Sequence, residues 1–137
     1  MQLLKQLMEM NTGETRIAVG LLNRAFSKWE LDFDLSGHAT DRSLDREKDV
    51  SLQEVVGAFI KLRDKYINHF TNDYNANAKS FTVVIKDREA ALNIVVAFDF
   101  SRRNPTTGKY DAKCITIKRK PVDEFGLNLK GGAVAFV

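Results

Sequence analysis

Within Ala91 to Phe100, and again within Asp111 to Arg119, one face recurs at every second position, the period of a strand with one buried face. Leu92, Ile94, Val96, Phe98 and Phe100 share one face of the run Ala91 to Phe100. With Phe81 to Lys86, across the short Asp87-Arg88-Glu89 connection, this run predicts a hairpin. Asn104-Pro105-Thr106-Thr107-Gly108 has turn composition. Beyond it Asp111 to Arg119 alternates again, with Lys113, Ile115, Ile117 and Arg119 opposite Ala112, Cys114, Thr116 and Lys118. Three antiparallel strands are expected. Pro121 stops the third, and Ala133 to Val137 can add a short last strand.

Upstream the period is helical. Leu3, Leu4, Leu7 and Met8 predict a short helix over Met1 to Met10, and Asn11-Thr12-Gly13 interrupts it. Ile17, Ala18, Leu21, Leu22, Ala25, Phe26 and Trp29 then mark the inward face of a second helix from Thr15, with Trp29 in the core. Leu31, Phe33 and Leu35 alternate with Asp32 and Asp34, which predicts a strand closed by Ser36-Gly37. His38 to Glu47 reads as a short polar helix. Ser51-Leu52-Gln53-Glu54 is a capping box that starts the principal core helix, running to Phe70 through Leu52, Val55, Val56, Phe59, Tyr66, Ile67 and Phe70. Lys61, Arg63 and Lys65 are expected on its solvated face. The 137 residues suit one domain, so the fold class is α+β: N-terminal helices over 1–30, then a core over 31–137 built on an antiparallel meander.

Several function classes drop out. The longest apolar runs, such as Ile94 to Phe98, fall far short of the roughly 20 residues of a membrane span. Lys5 and Glu9 make the N-terminus unlike a secretory signal, so a cytoplasmic location is expected. A lone Cys114 allows no internal disulfide and no multi-thiolate zinc site, and it is expected to fill space in a strand. No phosphate loop, dinucleotide fingerprint or calcium loop is present, and neither a metal nor a cofactor is expected.

The net charge of +3 is unevenly spread. Between Ser101 and Lys120, Arg102, Arg103, Lys109, Lys113, Lys118, Arg119 and Lys120 stand against Asp111, a local +6 that leaves the remainder at −3. Such a segment suits a surface that tracks phosphates, with Tyr110 available to stack on a base. Lysines that guard a strand edge against aggregation are the other reading.

Only two histidines titrate near neutrality unaided. In Ser36-Gly37-His38-Ala39-Thr40-Asp41-Arg42-Ser43-Leu44-Asp45-Arg46-Glu47, a helix would align His38, Arg42 and Arg46 at i, i+4 and i+8. One face would then join proton transfer to fixed positive charge. Cleavage of RNA by its own 2′-OH needs a base for that hydroxyl, cations for the phosphoryl oxygens and an acid for the leaving 5′ oxygen. A solvated helix with Arg42 and Asp45 paired is the simpler alternative. His69, at the edge of the core face, is a second candidate by scarcity.

The run His38-x-x-x-Arg42-x-x-x-Arg46-Glu47, followed by a capped helix and a meander, resembles the compact nuclease fold of RelE-type messenger-RNA interferases and of barnase-, EndoU- and colicin-type RNases. It is most similar to the phage RegB-type endoribonuclease, where His, Asp-Arg and Arg-Glu have the spacing of His38, Asp41-Arg42 and Arg46-Glu47. The resemblance covers Leu35 to Lys120. It implies a metal-independent, toxin-like phage endoribonuclease in the bacterial cytoplasm, a hydrolase that leaves a 2′,3′-cyclic phosphate, with His38 as general base or acid and Arg42 or Arg46 on the phosphate. RNA is the implied ligand, with a host protein or an antitoxin as further partner, and a non-catalytic factor gripping either through the basic sheet is the alternative. The chain departs from the RegB-type pattern at Ala58, Phe59 and Ile60, where a second histidine is expected. His69 lies about two turns later, and Lys118 and Arg119 are the other groups able to take that role.

Overall fold

The computed structural model describes residues 16–35, 51–66, 80–123 and 133–137. A helix over 16–25, here α1, leads through a 3-10 turn at Ser27–Trp29 into β1, Leu31–Leu35. Helix α2, Leu52–Lys65, precedes β2, Ser80–Asp87, β3, Leu92–Asp99, β4, Tyr110–Arg119, and β5, Ala133–Phe136. The five strands form one sheet in the order β1-β4-β3-β2-β5.

Strands β2, β3 and β4 form the expected antiparallel meander. The two edges differ from expectation, because β1 pairs with β4 and β5 pairs with β2 in parallel, which makes the sheet mixed. Alternation specifies which face of a strand is buried. It carries no information on partner or direction for strands joined by crossovers rather than hairpins.

One face of the sheet carries the core. Leu31, Phe33, Leu92, Ile94, Val96, Phe98, Ala112, Cys114 and Ile117 join Leu22 and Phe26 of the α1 end and Val55, Phe59 and Leu62 of α2 in a single buried cluster. Phe33 is its hub. Its ring lies 5.1 Å from Phe26, 5.2 Å from Phe59 and 6.4 Å from Phe98, the last two edge-on, a geometry that adds attraction beyond burial. Trp29 is buried, as expected, beside Phe26. Ile17 and Leu21, expected on the same stripe, are exposed, so the inward face of α1 is narrower than the apolar pattern.

Helix α2 begins as predicted. The Ser51 side chain accepts from the Glu54 N–H and the Glu54 carboxylate accepts from the Ser51 N–H, which satisfies two orphan donors. It spans Leu52–Lys65 with Tyr66 as cap, and Ile67 to Phe70, expected in the same helix, lie outside the described residues. Its cations are not merely solvated. Lys61 Nζ reaches the buried Asp87 carboxylate at 2.9 Å, Arg63 donates to the Ala25 carbonyl and Lys65 to the Phe136 carbonyl. Asp87 in turn accepts from the Ala90 N–H, so one carboxylate fastens both the β2–β3 turn and α2.

Side chains also close the sheet edges. On β1, the Asn23 amide oxygen accepts the Phe33 N–H at 2.7 Å and its nitrogen donates to Asp32. Lys65 does the equivalent for the Phe136 carbonyl on β5.

Two substitutions test this account. Phe59→Ala should cost about 3–5 kcal/mol in urea unfolding, because the ring is fully buried against Phe33. Ala91, at the hairpin turn, has φ 51, a left-handed conformation that disfavours a Cβ. Ala91→Gly should therefore raise stability by about 0.5–1 kcal/mol in the same assay.

Candidate functional site

His38, Arg42, Arg46 and His69 lie outside the described residues, as do the helices expected over Met1 to Met10 and His38 to Glu47. The basic segment is described in full, and the structure divides it.

Its first part is the β3–β4 loop. The Asn104 side chain accepts from Thr106 and donates to Asp111, its carbonyl accepts the Gly108 N–H, and Gly108 takes φ 70. This turn presents Arg103 across it. The guanidinium lies 4.6 Å from the Tyr110 ring centroid, donates to the Gly108 carbonyl at 3.0 Å and pairs with Glu30 at 2.7 Å. The pairing holds the Glu30 carboxyl below the usual range and raises Arg103. Tyr110, half-buried, also meets Phe100 at 5.4 Å. Its ring thus contacts both Arg103 and Phe100 within the fold. Arg102 and Lys109 are exposed on the same loop.

The second part lies along β4, and here strict alternation fails. Val95 pairs with Thr116 but Val96 pairs with Cys114, so Ile115 is the extra residue of a bulge. The bulge reverses the facing of the rest of the strand. Lys113 and Arg119, expected on one face, fall on opposite faces: Lys113 is exposed on the open side, and Arg119 turns to the helix side. There Arg119 pairs with Glu54 at 2.6 Å and donates to the Ala90 carbonyl. The bond from Arg119, with the Ser51 N–H, holds the Glu54 carboxyl below its usual range. Cys114 fills the core, and burial pushes its thiol up to about 12, which leaves it unreactive at neutral pH.

The face away from the helices is charged at its two ends, while Val84 and Val95, paired across its middle, are buried. At one end Asp32, Asp111 and Asp99 stand in register on β1, β4 and β3. Hydrogen bonds from Ser101 and Ser80 hold Asp99 low. At the other end Lys118, Asn93 and Lys86 stand in register on β4, β3 and β2. Seven residues of β4 separate the two rows, about 23 Å. Buried Asn93 donates to the carbonyls of Lys118 and Lys120 and so fixes the chain leaving β4. Lys86 donates to the Val122 carbonyl, which brings the following segment over this end.

The segment from Ser101 to Lys120 is therefore not one surface. Arg102, Arg103 and Lys109 sit beside carboxylates, while Lys118 and Lys120 sit about 30 Å away along β4 with Lys86. Sequence reasoning missed Lys86 and Glu54: the first lies outside the charge run, and the second reads only as a helix cap. A cavity of about 430 Å³ between α1 and the start of α2 is lined by Ile17, Leu21, Leu52 and Val56 and offers no ionisable side chain. Among the described residues no group of carboxylates, histidines and cysteines is arranged to hold a metal, and no helix is long and apolar enough to cross a membrane.

No protein-family model matches this chain, and neither a curated protein nor a solved structure matches it.

The Glu54–Arg119 pair is testable through pH. A carboxyl lowered by folding contributes stability that is complete above its unfolded value, near 4.5, and is lost as pH falls through the lower folded value. Glu54→Gln should therefore be less stable than wild type at pH 7, with the difference shrinking below about pH 4.5 in thermal melts.

Proposed function

We propose that this chain is a metal-independent endoribonuclease-like protein acting on single-stranded or messenger RNA. The observation that carries the reading is where the stretch containing His38, Arg42 and Arg46 leaves and re-enters the described fold. Leu35, its upstream neighbour, pairs with Cys114 at the middle of β4. His38 follows three residues later, a reach of at most about 11 Å. Downstream, Ser51 is tied to Glu54, and the other oxygen of Glu54 holds Arg119 at the end of β4. Both ends of the stretch are thus anchored beside the half of β4 that ends in Lys118, Arg119 and Lys120.

In the proposed reaction one histidine takes the proton of the RNA 2′-OH as that oxygen attacks phosphorus. The bond to the 5′ oxygen breaks, an acid returns a proton to that oxygen, and a 2′,3′-cyclic phosphate and a 5′-OH result. His38 supplies one of these proton transfers and His69 is the candidate for the other, while Arg42 and Arg46 stabilise charge on the phosphoryl oxygens.

The test is incubation of purified protein with mixed single-stranded RNA in EDTA. Wild type should cleave, and His38→Ala should be slower by about 10²–10⁴-fold. Absence of cleavage by wild type, or an unchanged rate in His38→Ala, would remove His38 from the mechanism.

A further inference from the structure

We infer that the corner of the sheet where β5 meets β2, on the face away from the helices, is a stacking site for a base of single-stranded RNA, with the Phe136 ring and the Arg88 guanidinium as platform and Lys118 and Lys120 as phosphate contacts. The inference rests on the reading of this protein as RNA-directed, but not on His38 or on catalysis.

Phe136 is directly opposite Lys86 in the β2–β5 pairing, Lys86 is opposite Asn93, and Asn93 is opposite Lys118. Directly paired residues share a face, so the ring, Lys86 and Lys118 point to the same side of the sheet, with both lysines half-buried and Asn93 buried between them. The Arg88 guanidinium lies 4.8 Å from the Phe136 ring centroid and Lys86 Nζ 5.9 Å from it. The ring is 37% exposed and Val134, on the same face, 51%. Arg88 pairs with Asp123 at 3.7 Å, both side chains mostly exposed, a weakly held pair that a phosphate can replace.

Two aromatic–guanidinium pairs among the described residues differ in what surrounds them. Arg103 on Tyr110 is neutralised by Glu30 and lies at the end with the aspartate row. Arg88 on Phe136 lies at the end with the lysine row. A flat apolar ring set among cations is what a nucleotide offers complementary groups for: a base with a π-face and a phosphate beside it. Among the described residues the large apolar side chains exposed on this face are Val134, Phe136 and Ile115, an area far below the roughly 800 Å² a stable protein partner covers on each side.

The experiment is fluorescence anisotropy with a labelled 2′-O-methyl uridine octamer, which lacks the attacking hydroxyl and stays intact. Phe136→Ala should bind roughly tenfold more weakly or worse. Phe136→Leu, which keeps the apolar contact, should lose the same affinity with an unchanged melting temperature. Phe136→Trp should bind like wild type and have its emission quenched by the octamer. Wild type, whose single tryptophan Trp29 is buried, should not be quenched. Arg88→Gln and Lys118→Gln should each lower the slope of log affinity against log salt by about 0.7. Wild-type affinity in both Phe136→Ala and Phe136→Leu overturns the site and leaves the RNA reading standing. Failure of wild type to bind the octamer overturns both. Phe136-dependent binding to phosphatidylserine vesicles in place of the octamer also overturns it and assigns the corner to a membrane surface. Phe136-dependent octamer binding without any RNA cleavage supports the site and overturns the catalytic reading instead.

Discussion

Everything described in this protein hangs on the contact of Phe33 with Phe26, Phe59 and Phe98, which closes both helices onto one face of the sheet. Phe33 comes from an edge strand, Phe59 from the middle of α2 and Phe98 from a central strand. Burial of these rings therefore joins elements distant in sequence, and an isolated meander has no other means of covering its apolar side. The other face carries charge at its two ends and apolar residues, Val84 and Val95 among them, across its middle. The aspartate and lysine rows are read from that surface.

Polar ties then set angles and ends rather than supplying the bulk of the stability. Asp87 joins the β2–β3 turn to α2 through Ala90 and Lys61, and Glu54 joins the start of α2 to β4 through Arg119. Asn93 directs the chain out of β4. These groups share a physical logic. Each is buried or half-buried, so its partners must be supplied by the protein, and leaving one partner out costs more than the pair contributes.

Much of the fold was legible because periodicity reports burial directly. The meander, the capping box at Ser51, the strand at Leu31–Leu35 and the inward run from Leu92 to Phe100 follow from one-dimensional patterns that local sterics enforce. The candidate site was less legible. A charge count saw seven cations from Arg102 to Lys120 as a unit, but a strand as long as β4 spreads them over about 30 Å. The bulge at Ile115 turned Arg119 to the helix side. Lys86 and Phe136, far apart in sequence, meet only because β5 returns to pair with β2.

By itself the sequence determined the inward run of β3, where α2 starts and that three strands run back and forth, since hydrophobic period and capping chemistry act within a few residues. Tertiary structure alone decided the parallel pairing of both edge strands, the reversal of facing after Ile115, the capture of Arg103 and Arg119 by Glu30 and Glu54, and the separation of negative and positive ends on the open face. The reason is that charge and direction are read between strands. Coulomb attraction and ladder hydrogen bonds depend on which residues stand opposite each other, and crossovers, which leave no periodic trace in the chain, settle that.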